Sequence, residues 1–266
     1  LDHPDLAGKL FGPSEGAWDF VDNDTDPTDP GTADYTGNLA SHGTHVTGII
    51  AANWGQNTTA TCAGCSPTGV VGATYLAPVN ILPVRVLSRD GVDVATLTTA
   101  LEYAAGNPVS FNNAALTNPH PAQVINLSLG GLPGTQIFSI LGLDTTMKDA
   151  IQYARDKGTL TVAAAGNTST LLCNDPAFSS DSICVGATDK NEMKSYFSEL
   201  PVKLSGKGVA APGGSGRLLG GDCSEDIIST VPRGTGTPKP ASSTYTSAAP
   251  APARTTLTSS SFLPAT

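Results

Sequence analysis

The chain has 266 residues, 39% of them hydrophobic, with 29 glycines and a net charge of -9 from 14 basic and 23 acidic side chains. That length supplies one large α/β domain or two small ones with material for a core, and so few Lys and Arg leave no electrostatic footprint for nucleic acid or an anionic membrane. The apolar runs fall far short of the ~20 residues that span a bilayer.

In chain order, Leu1-Asp2-His3-Pro4-Asp5-Leu6 opens without Met and without a charged-then-apolar leader, so the chain reads as a fragment with any secretion signal upstream. Residues 18–30 gather Asp22, Asp24, Asp26 and Asp29 in a Pro-rich loop, which needs either a cation such as calcium or full solvation. Next, Ser41 is placed to cap a helix that begins at His42 and buries Val46, Ile49 and Ile50 at i, i+3, i+4 spacing. A histidine at a helix start with an apolar stripe behind it is held in one pose, as a general base must be. Gly43 and Gly48 cost helix propensity and mark places of close approach by backbone or substrate. His42 and His45, three apart, also admit a zinc reading, but the metalloprotease pattern puts two His four apart with a Glu between, and no Glu is present.

Cys62 and Cys65 form a single C-x-x-C with no second pair at metal spacing. The simplest account of the five cysteines is two loop-closing disulfides with Cys223 left over, in an oxidising compartment. Sequence does not give the connectivity; the pairing expected, as a guess, is Cys62 with Cys65 and Cys173 with Cys184. Val79 to Leu87 reads as a buried strand despite Pro83. Asp93 caps a helix with Val94, Leu97, Leu101 and Ala105 on one face, stopped by Gly106; residues 107–122 read as a loop. A strand over Gln123 to Leu129 is followed by a helix from about Asp144 with Met147, Ala150, Ile151 and Ala154 apolar, and then by strands at Thr159 to Ala165 and Ser182 to Ala187. Alternation of strands and helices predicts βαβ units in a mainly parallel sheet, with sites beyond the carboxyl ends of the strands.

The string SHGTHVTGIIAA, together with VINLSLGG (124–131), VAAAGN (162–167), VAAPGG (209–214) and ISTVP (228–232), resembles the subtilisin-like serine proteases, and these motifs occur in the family's order. The resemblance implies a subtilisin-like α/β three-layer sandwich, a mainly parallel central sheet flanked by helices, incomplete at both ends, over residues 1–232. It implies that His42 is the catalytic base and that Asn167 donates to the oxyanion. Ser128, Leu129 and Gly130 would offer backbone groups to an extended peptide, and Ala164, Ala165 and Gly166 would line an open S1 pocket for a large apolar P1 residue. Asp5 matches a position that ligates calcium in several members, and some members bind calcium in the loop that here carries Asp22 and Asp24. No cofactor for catalysis is implied; structural calcium is. The partners implied are polypeptide substrates and, in the precursor, an N-terminal propeptide, for a secreted, extracellular monomer.

The pattern departs from the family at two places. The strand ending in Asp-Thr/Ser-Gly, whose Asp orients the histidine, would end just before residue 1. After Pro232 the expected Gly-Thr-Ser-Met-Ala helix is replaced by Tyr245-Thr246-Ser247-Ala248-Ala249-Pro250, which leaves Ser247 as a degenerate match to the nucleophile. Of the 34 residues in 233–266, 27 are Gly, Ala, Pro, Ser or Thr, a low-complexity composition that predicts a disordered or stalk-like tail, or a sequence artefact. The 266 residues alone are therefore expected to fold poorly and to show little or no peptidase activity. Two rival readings are a non-catalytic peptide-binding pseudoprotease and a metal-dependent hydrolase built on His42, His45 and Asp22 to Asp29.

Overall fold

A computed structural model describes residues 3–29, 42–54, 69–88, 90–130, 145–215 and 227–231, and the backbone of 254–257. These fall into two compact units, one from Leu1–Arg85 with Asp226–Ser261, the other from Val86–Glu225 with Phe262–Thr266.

The first unit contains β1 (Trp18–Asp19), helix α1 (His42–Ala51), β2 (Val84–Arg85), β9 (Ile227–Thr230) and β10 (Arg254–Leu257). β1 and β2 pair in parallel, and β9 pairs antiparallel with β10, Arg254 opposite Thr230. The strand expected over Val79 to Leu87 is cut to the two residues of β2. Pro83, which has no N–H to donate, precedes it and contributes only its carbonyl, which accepts from Trp18 N–H at 3.3 Å. The described backbone within the Ser/Thr/Pro-rich tail is the strand β10.

Helix α1 buries a different face from the one its hydropathy predicts. His45, Gly48 and Ala51 are the buried positions, and Ile49 is 37% exposed. The cause is β9, which lies against α1 so closely that a Cβ added at Gly48 would come within 2.9 Å of Thr230 N and closer still to the hydroxyls of Ser229 and Thr230. Those hydroxyls donate to main-chain carbonyls of the helix, Ser229 Oγ to His45 O at 2.6 Å and Thr230 Oγ1 to Thr44 O at 2.7 Å. Gly48 is thus a place of close backbone approach, as expected. Gly43 has nothing within 4 Å of an added Cβ.

The second unit is a parallel sheet in the order β5 (Val124–Leu127), β6 (Leu160–Ala164), β7 (Ser182–Thr188), β8 (Lys207–Pro212), with α2 (Val94–Ala104) and α3 (Thr146–Asp156) packed on it. Asp93 caps α2 as predicted, its carboxylate accepting from Thr96 N–H at 2.9 Å, and Leu97 and Leu101 are buried while Val94 is exposed. Along the strands alternate residues enter the core: Ile125 and Leu127, then Ala163, then Cys184, against Leu101, Ala150 and Ile151 of the helices. The stretch 107–122, expected as loop, holds a hairpin of β3 (Val109–Phe111) and β4 (Ala114–Leu116). Asn112 and Asn113 supply the two positive φ angles, 45° and 67°, that such a two-residue turn requires. Cys173 and Cys184 form the expected disulfide; Cys62, Cys65 and Cys223 lie outside the described residues. No described helix is long and apolar enough to cross a membrane.

Candidate active site

In the first unit, His42 is the first residue of α1, and the helix start is held from upstream. Asp29 accepts from Thr44 N–H at 3.3 Å and from Thr44 Oγ1 at 2.9 Å. A carboxylate on the first-turn N–H groups does the work of a cap and meets the positive end of the helix dipole. Ser41, expected to be the cap, lies outside the described residues. His45, by contrast, is 3% exposed with Nε2 lacking any hydrogen-bond partner. Burial in an apolar setting pushes its pKa down to about 4, nearby His42 adds slightly to that shift, and a backbone hydrogen bond to Ile227 opposes it. His45 is therefore a neutral packing residue. Among the described residues no group of three His, Cys, Asp or Glu side chains could hold a metal, so the zinc reading finds no third ligand there.

In the second unit, the register of β5 and β6 sets two segments side by side. Leu127 pairs with Ala163, so Ser128, Leu129 and Gly130 leave the carboxyl end of β5 next to where Ala164, Ala165, Gly166 and Asn167 leave β6. Ser128, Leu129 and Gly130 are half-buried without regular structure, and Ser128 Oγ accepts from Asn126 Nδ2 at 3.0 Å. Asn167 is half-buried, and Ala164 is partly open. Ala165 packs into the core at 1% exposure, so its methyl group serves the core.

Gly166 has φ 119°, and a Cβ there would come within 2.8 Å of the Glu199 carboxyl carbon and closer still to Asn174 Nδ2. The reason is a fully buried carboxylate behind the segment. Glu199 accepts from Thr168 N–H at 2.9 and 3.1 Å, from the Thr168 hydroxyl, and from Asn174 Nδ2 at 3.2 Å. Sequence reasoning did not single out Glu199. A lone Glu in a loop carries no local signal, and its burial arises only when residues 166–174 fold back on it.

The calcium positions differ in their fit. Asp5 is 2% exposed, its Oδ2 accepts from Val70 N–H at 3.1 Å, and its Oδ1 is buried with no partner. An orphaned buried carboxylate oxygen is a fitting ligand for a hard cation. Asp22 instead pairs with Arg85 Nη1 at 2.6 Å, and Arg85 also pairs with the buried Asp19. Asp24 Oδ1 accepts from Asp26 N–H at 2.8 Å. Ser247 lies outside the described residues.

A histidine opening a helix in the first unit, and in the second an asparagine just past a parallel strand with a Ser-Leu-Gly segment past its neighbour, stand at the positions on which the resemblance to the subtilisin-like serine proteases rests. The chain belongs to the subtilase family, whose sequence pattern matches residues 1–260. It is 38% identical over 212 residues to thermitase of Thermoactinomyces vulgaris, covering 79% of this chain and 58% of that protein. It is 37% identical over 202 residues to an extracellular protease of Xanthomonas campestris, covering 76% of this chain and 28% of that one. Among solved structures, a protease from Pseudoalteromonas arctica superposes with a TM-score of 0.68 at 28% identity, covering all of this chain and 71% of its own. The chain thus spans less than two thirds of the curated relatives' length.

Proposed function

We propose that this protein is a secreted endopeptidase that hydrolyses polypeptides through an acyl-enzyme. A serine hydroxyl attacks the peptide carbonyl and passes its proton to His42. His42 returns that proton to the leaving amine, and a water repeats the sequence to release the acid. Asn167 donates to the oxyanion while the substrate pairs by backbone along Ser128 to Gly130. The observation that supports this reading is the β5–β6 register, in which Ser128 to Gly130 leave the carboxyl end of a parallel sheet beside the segment that runs on to Asn167.

The test is hydrolysis of a chromogenic peptide with Phe at P1, and labelling by a serine-directed phosphonate, in the longest form of the protein that carries this chain. His42→Ala should abolish both. Asn167→Ala should lower kcat by ~10²- to 10³-fold with little change in KM. Ser247→Ala should abolish labelling if Ser247 is the nucleophile, and another serine holds that role if labelling survives. No turnover, or turnover indifferent to His42→Ala, overturns the reading.

Calcium belongs to the same proposal in a structural role, held by Asp5, whose buried Oδ1 has no hydrogen-bond partner and would gain a partner in the cation; no catalytic step passes through it. Chelation should lower the melting temperature, calcium should restore it, and Asp5→Asn should remove the response. A melting temperature indifferent to chelation removes calcium from the account.

A further inference from the structure

Asn167 is gripped on both sides by one residue. The peptide group before it is fixed through Gly166 O, which accepts from the Glu199 backbone N–H at 3.2 Å. The peptide group after it is fixed through Thr168 N–H, which donates to both Glu199 carboxylate oxygens at 2.9 and 3.1 Å. With both flanking peptide planes tied to the same residue, the main chain of Asn167 has little room to turn, and its side-chain amide leaves the backbone in a set direction. The grip is tight enough that position 166 admits only glycine, since any Cβ would meet the Glu199 and Asn174 side chains.

Glu199 is an unusual group for packing alone. It is 0% exposed, and among the described residues no ion pair includes it. Its acceptor capacity is met by neutral donors: Thr168 N–H and hydroxyl, Asn174 Nδ2 and, at 3.4 Å, Thr170 Oγ1. A buried carboxylate without a cation is costly, and hydrogen bonds to it are shorter and stronger than those between neutral groups. The molecule holds this charge where stiffness at Asn167 matters. Resting on the assignment of Asn167 as oxyanion donor, we propose that Glu199 is its positioning residue, fixing the 166–168 backbone so that the amide is aimed before substrate arrives. Preorganised donors of this kind act without reorganisation at the moment of reaction.

Two readouts test this. By amide hydrogen exchange, Glu199→Ala should speed exchange of the Thr168 N–H roughly ten- to hundredfold, the loss expected for a hydrogen bond to a charged acceptor. Glu199→Gln should stay near the unaltered protein, because four of the five contacts fall on Oε1 and an amide oxygen can take them over. In turnover, Glu199→Ala should lower kcat with KM little changed, Glu199→Gln should recover most of the loss, and adding Glu199→Ala to Asn167→Ala should cost nothing further. Unchanged exchange at Thr168 in Glu199→Ala, or losses that multiply in the double variant, would overturn the proposal. If Asn167→Ala leaves kcat unaltered, the oxyanion assignment falls, and Thr168 exchange alone decides whether Glu199 holds the segment. Should Glu199→Ala not fold, Thr168→Val removes one bond from the same carboxylate and should lower kcat in the same sense by a smaller factor; no change in kcat would count against the proposal.

Discussion

The two glycines of α1 make opposite predictions for the same substitution. Glycine to alanine in a helix ordinarily stabilises by up to ~1 kcal/mol, and at Gly43, where an added methyl meets nothing within 4 Å, that gain should appear. At Gly48 the methyl would displace the hydroxyls of Ser229 and Thr230, each 1% exposed, from their bonds to His45 O and Thr44 O. Two buried hydroxyls left unsatisfied cost ~1–3 kcal/mol each, and forcing β9 outward adds ~1–3 kcal/mol of overpacking. Taking the low end of each term, because main chain and hydroxyls can shift, and setting the helix gain against it leaves Gly48→Ala less stable by about 2–3 kcal/mol. Urea unfolding followed by far-UV circular dichroism reads this as a lower midpoint at constant slope. Ser229→Ala combined with Gly48→Ala should cost less than the sum of the two, since they remove the same bond. A Gly48→Ala midpoint equal to that of Gly43→Ala would refute the close approach of β9.

Other expectations follow from the same inventory. His45 is held neutral with a pKa of about 4, below its ordinary 6.5, so the unfolded chain takes up a proton first as pH falls. Stability should therefore be lost between about pH 6.5 and 4, on the order of 3 kcal/mol in all, and His45→Met should flatten that part of a stability-against-pH curve. Removing Arg85 strips the buried Asp19 of its counter-ion. Arg85→Ala should cost ~3 kcal/mol by denaturant midpoint, whereas Asp22→Asn, on a side chain 64% exposed, should cost under ~1 kcal/mol. Reducing Cys173–Cys184, which closes a loop with a sequence separation of 11, should lower stability by ~2–3 kcal/mol; an unchanged midpoint in dithiothreitol would count against it.

Much of the second unit was legible because its signals are local. Asp93 before an apolar 3.6-residue repeat, and strands bounded by glycines, carry their structure in a dozen residues each. The hairpin at 109–116 was missed: Asn-Asn between short apolar runs is a turn signal, but the surrounding Pro and Asn residues masked it. The face of α1 was not legible. Hydropathy favours burying Val46, Ile49 and Ile50, whereas the burial of His45 and Gly48 is imposed by Ser229 and Thr230, some 184 residues away. Glu199 is hidden for the same reason, as its meaning depends on donors 25 to 31 residues upstream. Motif resemblance named His42 and Asn167; what holds each of them comes from distant sequence.

That distance has a consequence in time. The second unit is nearly continuous in sequence, while the first is closed by strands from the far end of the chain. A ribosome adding ~5–20 residues per second delivers Ser229 some ten to forty seconds after His45. For that interval α1 has no β9 to lock it, while the four-stranded sheet of the second unit already has its strands through Pro212. Until Ser229 and Thr230 emerge, the Thr44 and His45 carbonyls of α1 lack the hydroxyl donors that hold them.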